Sequence, residues 1–492
     1  MTPRTPPPGG WGPAHCVFTT MDLALTHMNR SAPVQHRKLP VATTVFRCIA
    51  AFLVGGIWPA TAPAQQVITL DDAVRLAVAS NHDLASSRLE VERADARVKE
   101  AWGSALPQID FGGRYTRALK KPVFFLPDFE NPGSGVVTPI EIGSDHAFDL
   151  GFNANQILFN ATVFIGVGAA STYSRGAREL FRAKVAETVT NARKAFYAVL
   201  VAREVRDLVQ QTLTNSEENF KTARVLFEQG LVSEFDKLRA EVAVENIRPE
   251  LFDAEKAERL ALNNLRMVIG VPHDRALEVQ GSLQYQPVDT TLVVNAQTMM
   301  LESNPTLASV RYQSEINDAI VSAEESYYLP TLSAFGTYSA VAQSNQLNLA
   351  QLGFIPSSTV GLSLSLNIFN GLQTAARVEQ ANLEYRKSQE QLAGVELQLQ
   401  TGTEAILLQL RTAEQRVLSG GRTVEQAEKG YRIANTRYTS GSGTLLETND
   451  ALLALARAKV NRIQAVYDYL AAAADLDGIL GRVPASVAAT LE

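Results

Sequence analysis

The chain has 492 residues, 46% of them hydrophobic and 20% charged, and its formal net charge is −6. Length and composition allow about two to four folded domains, and the acidic balance excludes the basic footprint of a nucleic-acid surface. Both cysteines, Cys16 and Cys48, precede Ala64.

The opening segment reads differently from the rest. Arg37, Lys38 and Arg47 come before an apolar run from Cys48 to Trp58, and Ala62-Pro63-Ala64 follows. A basic region, a short apolar core and an A-x-A site predict a cleaved secretory signal over residues 1–64, with Gln65 as the mature start. The run is too short to cross a bilayer as a helix. Its basic region is long, so Met21 and Met28 are alternative starts. A mature chain beginning at Gln65 would carry no thiol, hence no disulfide, thiolate metal site, cysteine nucleophile or acylated cysteine. Beyond Gln65 no apolar stretch reaches the roughly eighteen residues that a spanning helix needs. A membrane role would therefore have to use strands.

In chain order, a helical stretch over about 71–104 is expected to end at Leu106-Pro107, because proline disfavours helix in the residue before it. The prolines and glycines of 120–144 make that segment too irregular for an element, and it reads as an outer loop. DHAFDLGFNANQIL then alternates, with Phe148, Leu150, Phe152 and Ala154 against Asp149, Gly151, Asn153 and Asn155, which predicts a strand. Asn160 suits an N-cap for a proline-free helix to about Gln229. Its apolar positions Val209, Leu213, Phe220, Ala223 and Phe227 step like a coiled-coil seam. Gly230 fits the position just past a helix end, and Ser233-x-x-Asp236 forms a capping box that opens a return helix to Gly270. Pro249 lies inside that helix and is expected to kink it.

The same grammar then repeats. SNHDLASSR (80–88) recurs as SNPTLASVR (303–311), Leu106-Pro107 as Leu329-Pro330, QILFNAT as LNIFNGL, and RMVIG as DGILG. The predicted organisation is a first repeat over 65–272, a connector over 273–295, a second repeat over 296–484 and a tail over 485–492. In the second copy STVGLSLSLNIF alternates, 343–356 forms a shorter outer tip, and Asn370 again suits an N-cap. Val395, Leu399, Ile406, Leu410, Ala413 and Val417 make the seam. Gly441 and the box Thr444-x-x-Glu447 form the second helical turn.

Alternation of this kind suits a transmembrane barrel strand and equally a soluble half-buried sheet; the signal and the long helices favour the barrel. Four strands cannot close a barrel, since the smallest use about eight, and open edges in lipid leave backbone groups unpaired. Two copies give the minimum strand number and three give a wider bore.

The opening TLDDAVRLAVASN, the Leu-Pro joints, the ILFN and NIFN joints, and the turns EQGLVSEFD and TSGSGTLLETNDA together resemble the TolC-like outer membrane efflux proteins, over about 70–484. The resemblance implies a mixed α+β membrane protein. Each chain of a homotrimer would give four strands to a twelve-stranded β-barrel, in contact with outer-membrane lipid, and long antiparallel coiled coils to a periplasmic tunnel. It further implies a passive exit duct for small molecules or proteins, without cofactor, docked to a periplasmic adaptor and an inner-membrane RND or ABC transporter. Carried over by motif position, Glu447 and Asp450 would ring the periplasmic aperture, and Asp236 and Tyr438 would form a latch between helix pairs. Glu447 and Asp236 also read as plain capping residues, and Tyr438 as helix packing. At Gly443 the family's prototype has an arginine, so part of its closed-state network is missing here. Trp102, Tyr327 and Tyr328 suit an interfacial girdle and equally plain packing against the base of a barrel.

No catalytic constellation is present in the sequence. His82, His146 and His273 are too scattered for a metal motif, and neither a P-loop nor a G-x-S-x-G elbow occurs. The rival reading is a secreted coiled-coil structural or adaptor protein of the envelope without a barrel, which would extract with periplasmic contents.

Overall fold

The structure, a computed structural model, describes residues 66–127, 137–273, 275–349 and 352–491. The expected signal over 1–64 and the start at Gln65 lie outside them.

Its first half runs β1 (Gln66–Ile68), α1 (Leu70–Ser80), α2 (His82–Gly103), β2 (Gln108–Arg117), β3 (Val123–Pro127), β4 (Val137–Glu141), β5 (His146–Phe159), α3 (Ala161–Glu228), α4 (Glu234–Ile269) and β6 (Leu277–Val279). The second half runs α5 (Thr290–Ser303), α6 (Pro305–Glu325), a 3-10 turn (Ser326–Tyr328), β7 (Thr331–Ser344), β8 (Ile355–Ser365), α7 (Gln373–Thr439), α8 (Leu445–Ile479) and α9 (Ala485–Leu491). At 68 and 67 residues, α3 and α7 rise roughly 100 Å each. Each folds back on its return helix as a hairpin.

The helical stretches expected over 71–104 and from 296 are each broken once, at an asparagine. Asn81 accepts from the Leu84 amide at 3.0 Å and Asn304 from the Leu307 amide at 2.8 Å, so each caps a new helix. Their amides also reach across the fold, Asn81 to the Val268 carbonyl at 3.1 Å and Asn304 to the Ile479 carbonyl at 2.7 Å. These contacts join the start of each repeat to its end.

Beside those joints sit the two main cores. One gathers Ile68, Phe196, Leu265 and Ile269 from β1, α3 and α4. The other gathers Met300, Tyr469, Leu476 and Leu480 at α5 and α8. The connector is not a bare link: β6 within it pairs in parallel with β1, and α5 begins at Thr290. α4 is continuous through Pro249.

β2, β5, β7 and β8 form one four-stranded antiparallel sheet in the order β2-β5-β7-β8. Its register sets Phe111 against Phe152 and Tyr115 against Phe148 on one face, and Arg114 against Asp149 on the other. The apolar face continues through Leu332–Leu364 and Ala334–Leu362, and the polar face through Ser339–Ser357 and Thr337–Thr359. Phe335 breaks the polar face. Its ring lies where a Cβ on Gly361 would stand, 2.7 Å away, so glycine there makes room for the ring.

Three expectations need correction. The segment over 120–144 is not irregular throughout, since β3 and β4 pair in it as a hairpin. A two-stranded ribbon accommodates Pro127 and Pro139 because its outer N–H groups need no partner strand. Asn370 does not cap α7 as Asn160 caps α3. The cap position is Leu372, without a side-chain bond, because Gly371 and Leu372 are both left-handed, at φ 69° and 65°. Asn370 accepts instead from the Thr374 amide at 3.5 Å. β8 ends at Ser365, so Leu366 and Ile368 fall outside the strand.

Candidate functional site: the helix tips

The lower ends of the two helical hairpins are built alike. α3 gives way to Gly230 at φ 72° and α7 to Gly441 at φ 75°, a left-handed conformation that glycine adopts without cost. Carbonyls freed at the helix ends are taken up by the turns. Leu231 N–H donates to Leu226 O at 2.8 Å, and Ser442 N–H donates to Arg437 O at 2.8 Å.

Ser233 and Thr444 then start the return helices with complete capping boxes. Ser233 Oγ accepts from the Asp236 amide at 3.2 Å and donates to the Asp236 carboxylate at 2.7 Å. Thr444 Oγ1 accepts from the Glu447 amide at 3.3 Å, and Glu447 reaches back to the Thr444 amide at 3.5 Å.

Between the two turns, Ala223, Ala240, Tyr438 and Leu445 form a buried cluster drawing on α3, α4, α7 and α8. Tyr438 is 4% exposed, and its hydroxyl has no hydrogen-bond partner. Burial raises the pKa of this phenol, and the nearby Asp236 carboxylate raises it further. The structure thus brings Asp236 and Tyr438 together electrostatically without a hydrogen bond between them. Asp236 is engaged by Ser233 instead.

Glu447 and Asp450 both face solvent on the first turns of α8. Asp450 lines a groove of about 630 Å³ together with Arg239, Val242, Leu453 and Arg457. Glu447 lies 3.7 Å from the Arg437 guanidinium, which also donates to the Ser442 carbonyl at 3.1 Å. Arg437 was not singled out from sequence. A cation in the last turn of a helix is favoured by the helix dipole alone, so the position carries no distinctive signal. Gly443 proves sterically constrained, since a Cβ there would stand 2.9 Å from Arg437 Cβ. An arginine at 443 would require this turn to shift, and the cation of this tip comes from 437.

Among the described residues, no group of three metal-ligating side chains converges, and no helix is long and apolar enough to cross a membrane.

Comparison with known proteins agrees with this architecture. The family described as outer membrane efflux protein matches residues 73–271 and 298–482. The alkaline protease secretion protein AprF of Pseudomonas aeruginosa is 24% identical over 212 residues, covering 43% of this chain and 44% of AprF. The outer membrane efflux protein BepC of Brucella suis is 24% identical over 332 residues, covering 67% of this chain and 66% of BepC. The chain thus spans less than two thirds of the length of either relative. The crystal structure of the Campylobacter jejuni CmeC outer membrane channel superposes with a TM-score of 0.70 at 18% identity, over 86% of this chain and 88% of CmeC. With two matched segments that take in both helical hairpins and the sheet, the chain belongs to the outer membrane efflux protein family.

Proposed function

We propose that this chain is the outer-membrane exit duct of a tripartite efflux or type I secretion system, working as a passive conduit. The observation that carries the reading is the four-stranded sheet. It is apolar on one face and polar on the other, and its edge strands β2 and β8 pair with no further strand among the described residues. Edges of that kind in hydrocarbon cost several kcal/mol per unpaired group. Three copies joined β2 to β8 remove every edge and enclose a twelve-stranded bore, with the α3–α4 and α7–α8 hairpins extending it as a periplasmic tunnel. The polar face, with Arg114, Asp149 and Asn153, then lines water, and the apolar face meets lipid.

A duct of this design holds no energy source, so a periplasmic adaptor and an inner-membrane RND or ABC transporter are its partners. The names of AprF and BepC divide between secretion and efflux, and both cargo classes stay within the reading. At the tunnel's lower end Glu447 and Asp450 form the aperture and Asp236 with Tyr438 the latch. The buried Tyr438 hydroxyl without a hydrogen-bond partner, on which the Asp236 carboxylate acts electrostatically, supports the latch, because a buried donor without an acceptor is costly and a shift of the helix pair that supplied one would relieve that cost. Such a shift regulates passage without any covalent chemistry. Single-channel recording of the purified protein in planar bilayers tests the reading. Discrete conductance steps are expected, and a protein that extracts with periplasmic contents and leaves the bilayer silent would support the scaffold alternative.

A further inference from the structure

The β3–β4 hairpin continues the β2–β5 ladder past the end of the sheet. Ala118 N–H donates to Asp145 O at 2.9 Å, and Ile142 N–H donates to Pro122 O at 3.0 Å. β5 ceases to pair with β7 at His146–Ser344, so the hairpin stands beyond the β7–β8 end, and among the described residues no third strand joins it. Its root is fixed by a polar collar. Lys121 Nζ lies 3.2 Å from the Asp145 carboxylate and donates to Asn345 Oδ1 at 3.0 Å, which also accepts from the Asp145 amide at 3.1 Å.

Past that collar both sides of the ribbon carry large apolar side chains. The register sets Phe124 against Ile140 on one face and places Phe125 on the other. Phe124 is 58% exposed and Phe125 66%. An isolated two-stranded ribbon is marginal in water, and large aromatics exposed on both of its faces indicate a missing contact.

Hydrocarbon is a poor candidate for that contact. A ribbon lying on lipid needs only one apolar face, and this one stands beyond Arg117, Lys121 and Asp145, where the apolar ladder of the sheet has already ended. The β7–β8 loop and the first residue of β8 offer a better match, with Leu347, Phe354 and Ile355 exposed. Barrel closure brings those residues near from a neighbour. The hairpin springs from β2, one edge of the sheet, and the loop leads into β8, the other edge. Joining β2 to the next copy's β8 sets hairpin and loop side by side at the rim.

We propose that each β3–β4 hairpin docks against the next copy at Leu347, Phe354 and Ile355, beside the start of β8, with Phe124 and Phe125 packing on those three residues. Three such contacts interlock as an apolar collar at the outer mouth. The collar depends on the three-copy duct proposed above.

Disulfide trapping in isolated outer membranes tests it, in a background carrying Cys16→Ser and Cys48→Ser. Two pairs are oxidised: Phe125→Cys with Ile355→Cys, and Phe124→Cys with Phe354→Cys. Covalent dimers and trimers on non-reducing denaturing gels are expected from at least one pair and from none of the single variants. If both pairs give only monomer while the native mass of the same preparation is three chains, the collar is wrong and the three-copy duct stands. A native mass of one chain removes both. As a second readout, Phe124→Ser with Phe125→Ser should lower the temperature at which the oligomer dissociates in SDS; an unchanged temperature contradicts the collar.

Discussion

The side-chain amide of Asn304 donates to the carbonyl of Ile479 at 2.7 Å, while its carbonyl oxygen caps α6 through the Leu307 amide at 2.8 Å. Asn81 does the same to Val268 and Leu84 in the first repeat. One side chain thus starts a helix and ties it to the end of the return helix. Asn304→Ala is expected to lose about 1 kcal/mol of capping and about 1–3 kcal/mol for the orphaned carbonyl. Asn81→Ala should cost less, because Asn81 is only half-buried whereas Asn304 is buried. Urea or thermal unfolding of the two variants in detergent checks the order.

Glycine is required where those return helices end. Gly270 and Gly481 have φ of 67° and 65°, and an added Cβ would overlap the Ser80 carbonyl oxygen at Gly270 and stand 2.8 Å from Pro305 Cδ at Gly481. A left-handed conformation costs a non-glycine residue about 1–2 kcal/mol, and the clash adds to it. Gly270→Ala should be the more damaging, since its Cβ overlaps the Ser80 carbonyl, whereas the nearest backbone atom at Gly481, the Ser303 carbonyl oxygen, stands 3.1 Å off. Heat-resistant oligomer recovered from membranes is the measurement, and equal recovery for both variants would contradict the ranking.

At the tip, Tyr438→Phe separates packing from latching. The phenylalanine keeps the ring and removes a buried hydroxyl that lacks a partner, so thermal stability is expected to hold or rise. If the hydroxyl serves as latch, conductance in planar bilayers should increase in the same variant. Packing alone predicts unchanged conductance. Tyr438→Ala, by contrast, should cost about 3–5 kcal/mol through the cavity it leaves.

The raised pKa of Tyr438, caused first by burial and then by Asp236, gives a pH dependence with a definite sign. A folded pKa above the unfolded value of about 10 means the neutral phenol contributes stability that is fully present below about pH 10. That stability is lost as pH rises through the elevated folded value. Wild type should therefore lose more stability above pH 10 than Tyr438→Phe, as followed by alkaline unfolding.

Asp450→Ala and Glu447→Ala should differ in ion selectivity. Asp450 is exposed and lies outside the capping box, whereas Glu447 is engaged by Thr444 and lies near Arg437. Loss of Asp450 should reduce cation selectivity and weaken block by multivalent cations, with little change in folding. Loss of Glu447 should cost about 1 kcal/mol of capping and alter selectivity less. Reversal potentials under a salt gradient give the comparison. Unchanged selectivity without Asp450 removes it from the aperture.

Much of this architecture could be read from the chain. The S-N landmark and the RMVIG and DGILG segments repeat because both copies close the same Asn-to-carbonyl joint, and the strand faces were legible because the side-chain period of a strand is two. The turns at Gly230 and Gly441, with their capping boxes, followed from local chemistry alone. What escaped depended on tertiary context. β3 and β4 were hidden by Pro127 and Pro139, which a ribbon without outer partners tolerates. The parallel β1–β6 pair spans too few residues to show a period. Arg437 gave no sign because its pairing with Glu447 arises only once the turn at Gly443 brings the two helix ends together.

The central claim, that three copies close one duct, is tested most directly by the native mass of the detergent-purified complex. Three chains in a folded, heat-resistant assembly is the predicted result. A folded and stable monomer would contradict the barrel itself, because a four-stranded sheet with two open edges cannot persist in a membrane alone.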